Sequence, residues 1–159
     1  MKTKLFTLLL FTITLFVSAQ STSTTEIKWV SLDEALTIQK KAGTKAKPIF
    51  MDVYTVWCGP CKLLDKTTFV DDEVVKKINE NYIPVKFNGE GTDIITFQGK
   101  KMSNPNYNPS RKGRNATHQF TDHLELQGYP SLFIIDAKGV KVKTIIGYKT
   151  AQELLKEIN

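Results

Sequence analysis

The stretch Pro48-Ile49-Phe50-Met51-Asp52-Val53-Tyr54 is apolar except for one carboxylate, and two residues further on the chain reads Trp57-Cys58-Gly59-Pro60-Cys61. A short, nearly continuous apolar run bounded by turn residues is the pattern of a strand buried on both faces. Gly-Pro marks a tight turn, and Lys62-Leu63-Leu64-Asp65-Lys66 continues as a helix. The chain is thereby directed to a layered α/β arrangement. Cys58 and Cys61 are its only cysteines, so within the chain each has only the other as a partner. On such a turn two thiols can close into a small ring and open again. A bridge closing so short a loop removes little chain entropy, so stabilisation is a poor reason to have one, and redox chemistry is the economical reading.

The N-terminus carries Lys2 and Lys4, a largely apolar run over 5–17, and then Val17-Ser18-Ala19, with small residues suited to a signal-peptidase site. The run falls short of the roughly 20 apolar residues that span a bilayer, so residues 1–19 read as a cleaved signal peptide, with an uncleaved anchor as the alternative. No cysteine follows the run to carry a lipid, and no later stretch is long and apolar enough to cross a membrane. Residues 20–26, rich in serine and threonine, read as a flexible lead-in to one domain over 27–159. Without Lys2 and Lys4, 20 basic residues face 16 acidic ones, a formal charge of +4. That excess gives no support to a nucleic-acid partner. Export, periplasmic or otherwise extracytoplasmic, places the cysteines where a disulfide persists.

The pattern along the domain alternates. A short strand over 27–30 precedes a helix opened by a capping box, Ser31-Leu32-Asp33-Glu34, with Leu32, Ala35, Leu36 and Ile38 inward and Gly43 at its end. After the dithiol helix, Asp71 or Asp72 caps another helix carrying Val74, Val75 and Ile78, and residues 82–87 form a second central strand. Residues 88–114 break the pattern with four glycines, two prolines and five basic residues, which reads as a long insertion with little core of its own and one short strand at 94–97. A helix over 115–127, a hairpin of strands 131–135 and 140–146 turning at Asp136-Ala137-Lys138-Gly139, and a helix capped by Thr150 complete the chain. A mixed central sheet with helices on both faces follows.

WCGPC is, letter for letter, the active-site motif of the thioredoxin family, and from 27 to 159, apart from the insertion, the chain resembles that family. Tyr129-Pro130 matches the family's cis-proline, and Gly147 with the closing helix matches its C-terminal part. The stretches 61–69 and 72–74 also resemble, more loosely, the C-terminal domain of thiol:disulfide interchange proteins of the DsbD type. The resemblance implies a thioredoxin-like fold and a protein disulfide substrate, with no bound cofactor because the electrons sit on sulfur. It implies that Cys58 attacks from a helix N-terminus while Cys61, one turn inside and less exposed, resolves the mixed disulfide. Gly59 would let the turn close and Pro60 would take an early helical position. Asp52 matches the family's buried aspartate, which takes the resolving thiol's proton through water, and Lys86 matches the lysine that approaches it. Strict alternation on a half-exposed strand would instead put Asp52 in solvent. Trp57 would shield the pair, or else be a core tryptophan, and the backbone of Tyr129 at Pro130 would pair with an extended substrate.

These residues point to an exported, monomeric thiol:disulfide oxidoreductase acting as a reductase and fed by a membrane electron donor of the DsbD type. The alternatives are an oxidase or isomerase with the same site, or a thioredoxin-fold binding module with an idle dithiol. A zinc site can be written from Cys58, Cys61, His118 and His123, but the separation from Cys61 to His118 far exceeds the usual 12 to 15 residues. No metal is expected, and both histidines are expected on the solvated or flanking side of their helix. The insertion should leave the end of the sheet that bears the dithiol, placing its basic residues and Tyr107 beside it to favour clients with acidic surfaces.

Overall fold

Strand β1 (Ile49–Tyr54) is the centre of a four-stranded sheet ordered β2-β1-β5-β6, in a computed structural model that describes residues 26–159. The signal peptide and residues 20–25 of the lead-in lie outside the described residues. β2 (Ile83–Asn88) runs parallel to β1, with Asp52 opposite Lys86. β5 (Ser131–Ile135) pairs antiparallel on β1's other side, and β6 (Lys141–Ile146) pairs antiparallel to β5. The parallel pair needs a crossover, which α2 (Gly59–Leu63) and α3 (Asp72–Asn81) supply.

Period-two alternation divides β1 between two cores. Ile49, Met51 and Val53 enter one, with Leu32 and Ala35 of α1 (Leu32–Ala42) and Phe120 of α4 (Gln119–His123). Phe50 enters the other, with Leu64, Val74, Val75, Ile78 and Leu154, the last from α5 (Ala151–Glu157). Helices thus cover both faces, and Asp52 shares the Phe50 face.

Most caps follow the local sequence. Asp71, rather than Asp72, caps α3, accepting from the N–H groups of Glu73 and Val74. Thr150 and Glu153 form a complete capping box on α5, whose Leu154 and Ile158 are buried. Gly43, at φ +56°, ends α1. At the start of α1, Ser31 accepts from the Glu34 N–H but Glu34 does not reach back, so the expected box is half formed. Ile38 is 41% exposed, and Gln39 takes its inward place, donating to the Lys47 carbonyl. The expected strand at 27–30 reduces to a single bridge from Val30 to Val85.

The insertion departs most from expectation. Its β3 (Ile95–Phe97) and β4 (Lys100–Met102) form a small antiparallel sheet. Ile95, Phe97 and Met102 are at most 3% exposed and join the α1-side core. Burial of such side chains contributes about 1.5–3 kcal/mol each, so the segment is part of the core and not a coreless excursion. The expected helix over 115–127 shrinks to the five residues of α4, because the insertion's return path occupies the preceding stretch: Gln119 N–H bonds the Ser103 carbonyl and Ser103 N–H bonds the Gln119 side chain. No described helix is long and apolar enough to cross a membrane.

Candidate active site

Cys58 is the N-cap of α2, with extended backbone and a side-chain sulfur that accepts from the Cys61 N–H at 3.1 Å. The two cysteines are joined as a disulfide. Pro60 stands within the first turn, where a missing N–H leaves no bond unmade. Two expectations change here. Both cysteines are 2% exposed, so in the oxidised form Cys61 is no more covered than Cys58. Gly59 is exposed, lacks a positive φ, and has nothing within 4 Å of where a Cβ would stand. The turn therefore closes without needing glycine; its absent side chain only keeps the outer surface of the dithiol turn low.

Asp52 is fully buried, and neither carboxylate oxygen has a hydrogen-bond partner among the described residues. Lys86 Nζ stands 3.7 Å from Oδ2, close enough for charge attraction but too far for a hydrogen bond. The ammonium bonds instead to Asp65, one turn beyond Cys61, and lies 5.3 Å from the ring centres of Trp29 and Tyr54. Burial pushes the Asp52 carboxyl from an ordinary 3.8 up to about 7; Lys86 opposes that rise and Asp65 adds to it. A carboxyl poised there can hold or release a proton near neutrality. Leu64, in the turn that continues α2, packs in the same core as Phe50, so Asp52 faces the layer that carries the dithiol helix.

Trp57 is half-buried and held from several sides. Its indole N–H donates to Glu90 Oε2 at 2.8 Å, and the Asn115 N–H donates to the same oxygen at 2.7 Å. The Arg114 guanidinium stacks 4.2 Å above the indole, and the Tyr129 ring meets it edge-on at 5.7 Å. Arg114 is one of the five basic residues of the insertion expected beside the dithiol, whereas Glu90 and Asn115 were given no place at the site from the sequence. A lone acid two residues beyond the end of β2 was the only available signal, and nothing local linked it to residues 24 and 25 positions later. Glu90 is 8% exposed and Arg114 is exposed.

The Tyr129-Pro130 peptide bond is cis. Pro130 is buried, and its carbonyl accepts from Gly147 N–H at 2.9 Å, which ties the closing part of the chain to this end of the sheet. The Tyr129 hydroxyl is buried without a hydrogen-bond partner among the described residues, and burial, with Glu90 and Asp122 nearby, pushes it up to about 12, so it stays protonated. Gly89 makes room for it: a Cβ there would lie 2.4 Å from that hydroxyl.

His118 departs from its expected place on the solvated or flanking side of a helix. It is fully buried as the N-cap of α4; Nδ1 accepts from the Phe120 N–H at 3.0 Å, and Nε2 stands 2.8 Å from the Asp93 carbonyl. Nδ1 as acceptor leaves Nε2 to carry the proton, so both nitrogens are engaged. His123 is exposed. No cluster of metal-ligating side chains occurs among the described residues.

The family model for a thioredoxin-like domain matches residues 35–159. The chain belongs to the thioredoxin-like family. DsbD of Campylobacter jejuni, a thiol:disulfide interchange protein, is 27% identical over 121 residues, 76% of this chain and 17% of that protein. Escherichia coli DsbD is 27% identical over 116 residues, 72% of this chain and 16% of that protein. The chain thus spans about one sixth of the length of these relatives. A Bacteroides thetaiotaomicron protein with a provisional disulphide-isomerase assignment shares 26% identity at a TM-score of 0.57, covering 83% of this chain and 88% of that one. The oxidised DsbD C-terminal domain of Neisseria meningitidis superposes at 0.51 with 16% identity, over 81% of this chain and 95% of that one, a likeness of fold. The thioredoxin-like fold, its mixed sheet between helices, and the paired cysteines together fit a thiol:disulfide oxidoreductase.

Proposed function

We propose that this thioredoxin-like protein is an exported reductase of protein disulfides, monomeric, and supplied with electrons by a membrane donor of the DsbD type. The observation that carries the reading is the Cys58–Cys61 disulfide at the start of α2, on the layer faced by a buried, unpartnered Asp52 held near neutrality. In the reduced state the Cys58 thiolate attacks one sulfur of a client disulfide, forming a mixed disulfide and expelling one client thiolate. The Cys61 N–H already directed at Cys58 Sγ favours that thiolate. Asp52 accepts the Cys61 proton through water; the Cys61 thiolate attacks Cys58 Sγ, and the second client thiolate leaves. Two electrons pass to the client, whose two thiolates take up the Cys61 proton by way of Asp52 and one proton from solvent, and the protein is left oxidised. Lys86 holds Asp52 partly in its charged form, and Trp57, Tyr129 and Pro130 form the surface on which the client chain lies. The likeness to DsbD relatives, which are thiol:disulfide interchange proteins, supports the exchange chemistry, and the likeness to the Bacteroides protein favours isomerisation as the second reading.

The test is thiol exchange by single-cysteine variants together with the dithiol's reduction potential. Cys58→Ser should abolish insulin reduction, and Cys61→Ser should trap mixed disulfides. A potential nearer to the roughly −270 mV of thioredoxin than the roughly −120 mV of DsbA supports reduction. A value at the DsbA end overturns it in favour of oxidation, and failure of Cys61→Ser to react with a disulfide probe would reverse the assigned roles.

A further inference from the structure

The Arg114 guanidinium is the one insertion cation that the structure places directly on the residue preceding Cys58. It stacks 4.2 Å over the Trp57 indole, and its chain neighbour Asn115 is pinned to Glu90 by the 2.7 Å bond that shares an oxygen with the Trp57 N–H. Both the ring beneath Arg114 and the backbone carrying it are therefore fixed. Among the described residues its own N–H groups meet no acceptor: no hydrogen bond and no ion pair involves the Arg114 side chain, and the residue is exposed. Attraction to the face of a ring uses the charge of a guanidinium and not its N–H hydrogen bonds, which leaves donors free for a carboxylate. The nearby acid, Glu90, is 8% exposed and already accepts two hydrogen bonds, so it does not compete.

We propose that Arg114 is a specificity-determining residue that pairs with a carboxylate, Asp or Glu, close to the reactive cysteine of the client disulfide. The proposal rests on the reductase reading above and adds what that reading lacks, a feature that selects among disulfides. A client sulfur brought to Cys58 lies one residue from Trp57, so its flanking side chains fall within reach of the stacked guanidinium. A Lys or Arg at that client position would meet like charge instead, which disfavours the wrong partner as strongly as the carboxylate favours the right one.

The experiment uses the reduced protein, freed of excess reductant, in single turnover against three disulfide-bridged peptides alike except for Glu, Gln or Lys beside the attacked cysteine. The rate constant for client thiol release is measured at low and at 0.5 M salt. Wild type should react with the Glu peptide about tenfold faster than with the Gln peptide, a difference of about one hydrogen-bonded charge pair, and slowest with the Lys peptide. High salt should narrow these ratios. R114Q should bring the Glu-to-Gln ratio to about one, R114E should invert the order of Glu and Lys, and R114K, which keeps charge without the planar fork, should fall between. Equal wild-type rates on all three peptides, or ratios unchanged in R114Q, overturn the proposal and leave the reductase reading standing. Failure of the wild type to reduce any of them, or a small aromatic disulfide reagent, overturns both.

Discussion

Replacing Asp52 by Asn should make the oxidised protein more stable at pH 8 and leave it little changed near pH 4. The wild-type carboxyl has no hydrogen-bond partner among the described residues and no exposure, and burial raises it from 3.8 to about 7. Because the folded-state value lies above the unfolded one, the group's contribution is fully present below about pH 4, declines as pH rises, and is lost above about pH 7. At 1.36 kcal/mol for each tenfold change in the acid constant, the loss approaches about 4 kcal/mol. Asn is of similar size and stays neutral throughout, so only the wild type should show the decline. Urea unfolding from pH 4 to 8 should show the two curves diverging, by about 2 M in midpoint at pH 8 if the denaturant slope is about 2 kcal/mol/M. The difference between pH values carries the test, since any constant offset from the amide cancels. The same variant should resolve mixed disulfides more slowly near neutrality, because the amide takes no proton. Parallel stability curves over pH 4–8 would refute a carboxyl held near 7, and unchanged resolution from pH 6 to 9 would remove Asp52 from the mechanism.

Phe97→Ala should destabilise the whole domain by about 3–5 kcal/mol in urea unfolding, as for other buried phenylalanines, because Phe97 is 3% exposed and packs against Phe120 at 5.3 Å. By the same reasoning a chain that joins Asn88 directly to Asn115 through a few glycines should fail to fold; a cooperative, stable product would show the insertion to be separable. Gly89→Ala should cost about 1–3 kcal/mol by overpacking, since the added Cβ would fall 2.4 Å from the Tyr129 hydroxyl and the ring also meets Trp57 edge-on. A crystal structure of that variant should show Tyr129 displaced from its contact with Trp57, and an unmoved ring would refute the contact.

The parts of the site that the sequence determined by itself are those joined through the local chain. The dithiol turn, its helix and the strand leading into it lie within 20 residues, and apolar pattern and turn chemistry are local properties. Asp52 was legible as an acid in an apolar run, and the caps at Asp71 and Thr150 depend on neighbours two or three residues away. Sequence pattern failed where residues far apart in the chain had to meet. In the insertion, glycine, proline and charge suggested a loop, yet one apolar side chain every few residues suffices to anchor a small sheet to an existing core, as Ile95, Phe97 and Met102 do. The apolar side chains of 115–127 suited a longer helix, but the hydrogen bonds of Gln119 with Ser103 and of His118 to the Asp93 carbonyl hold the preceding stretch out of it, so the helix starts only at Gln119. Only the tertiary structure brought Glu90, Arg114 and Asn115 to Trp57, and only it decided that Lys86 bonds Asp65 while standing just outside hydrogen-bond reach of Asp52. Those contacts are set by how the parallel strands align and how the insertion packs, and both depend on long-range burial, which leaves no periodic trace in the residues that it brings together.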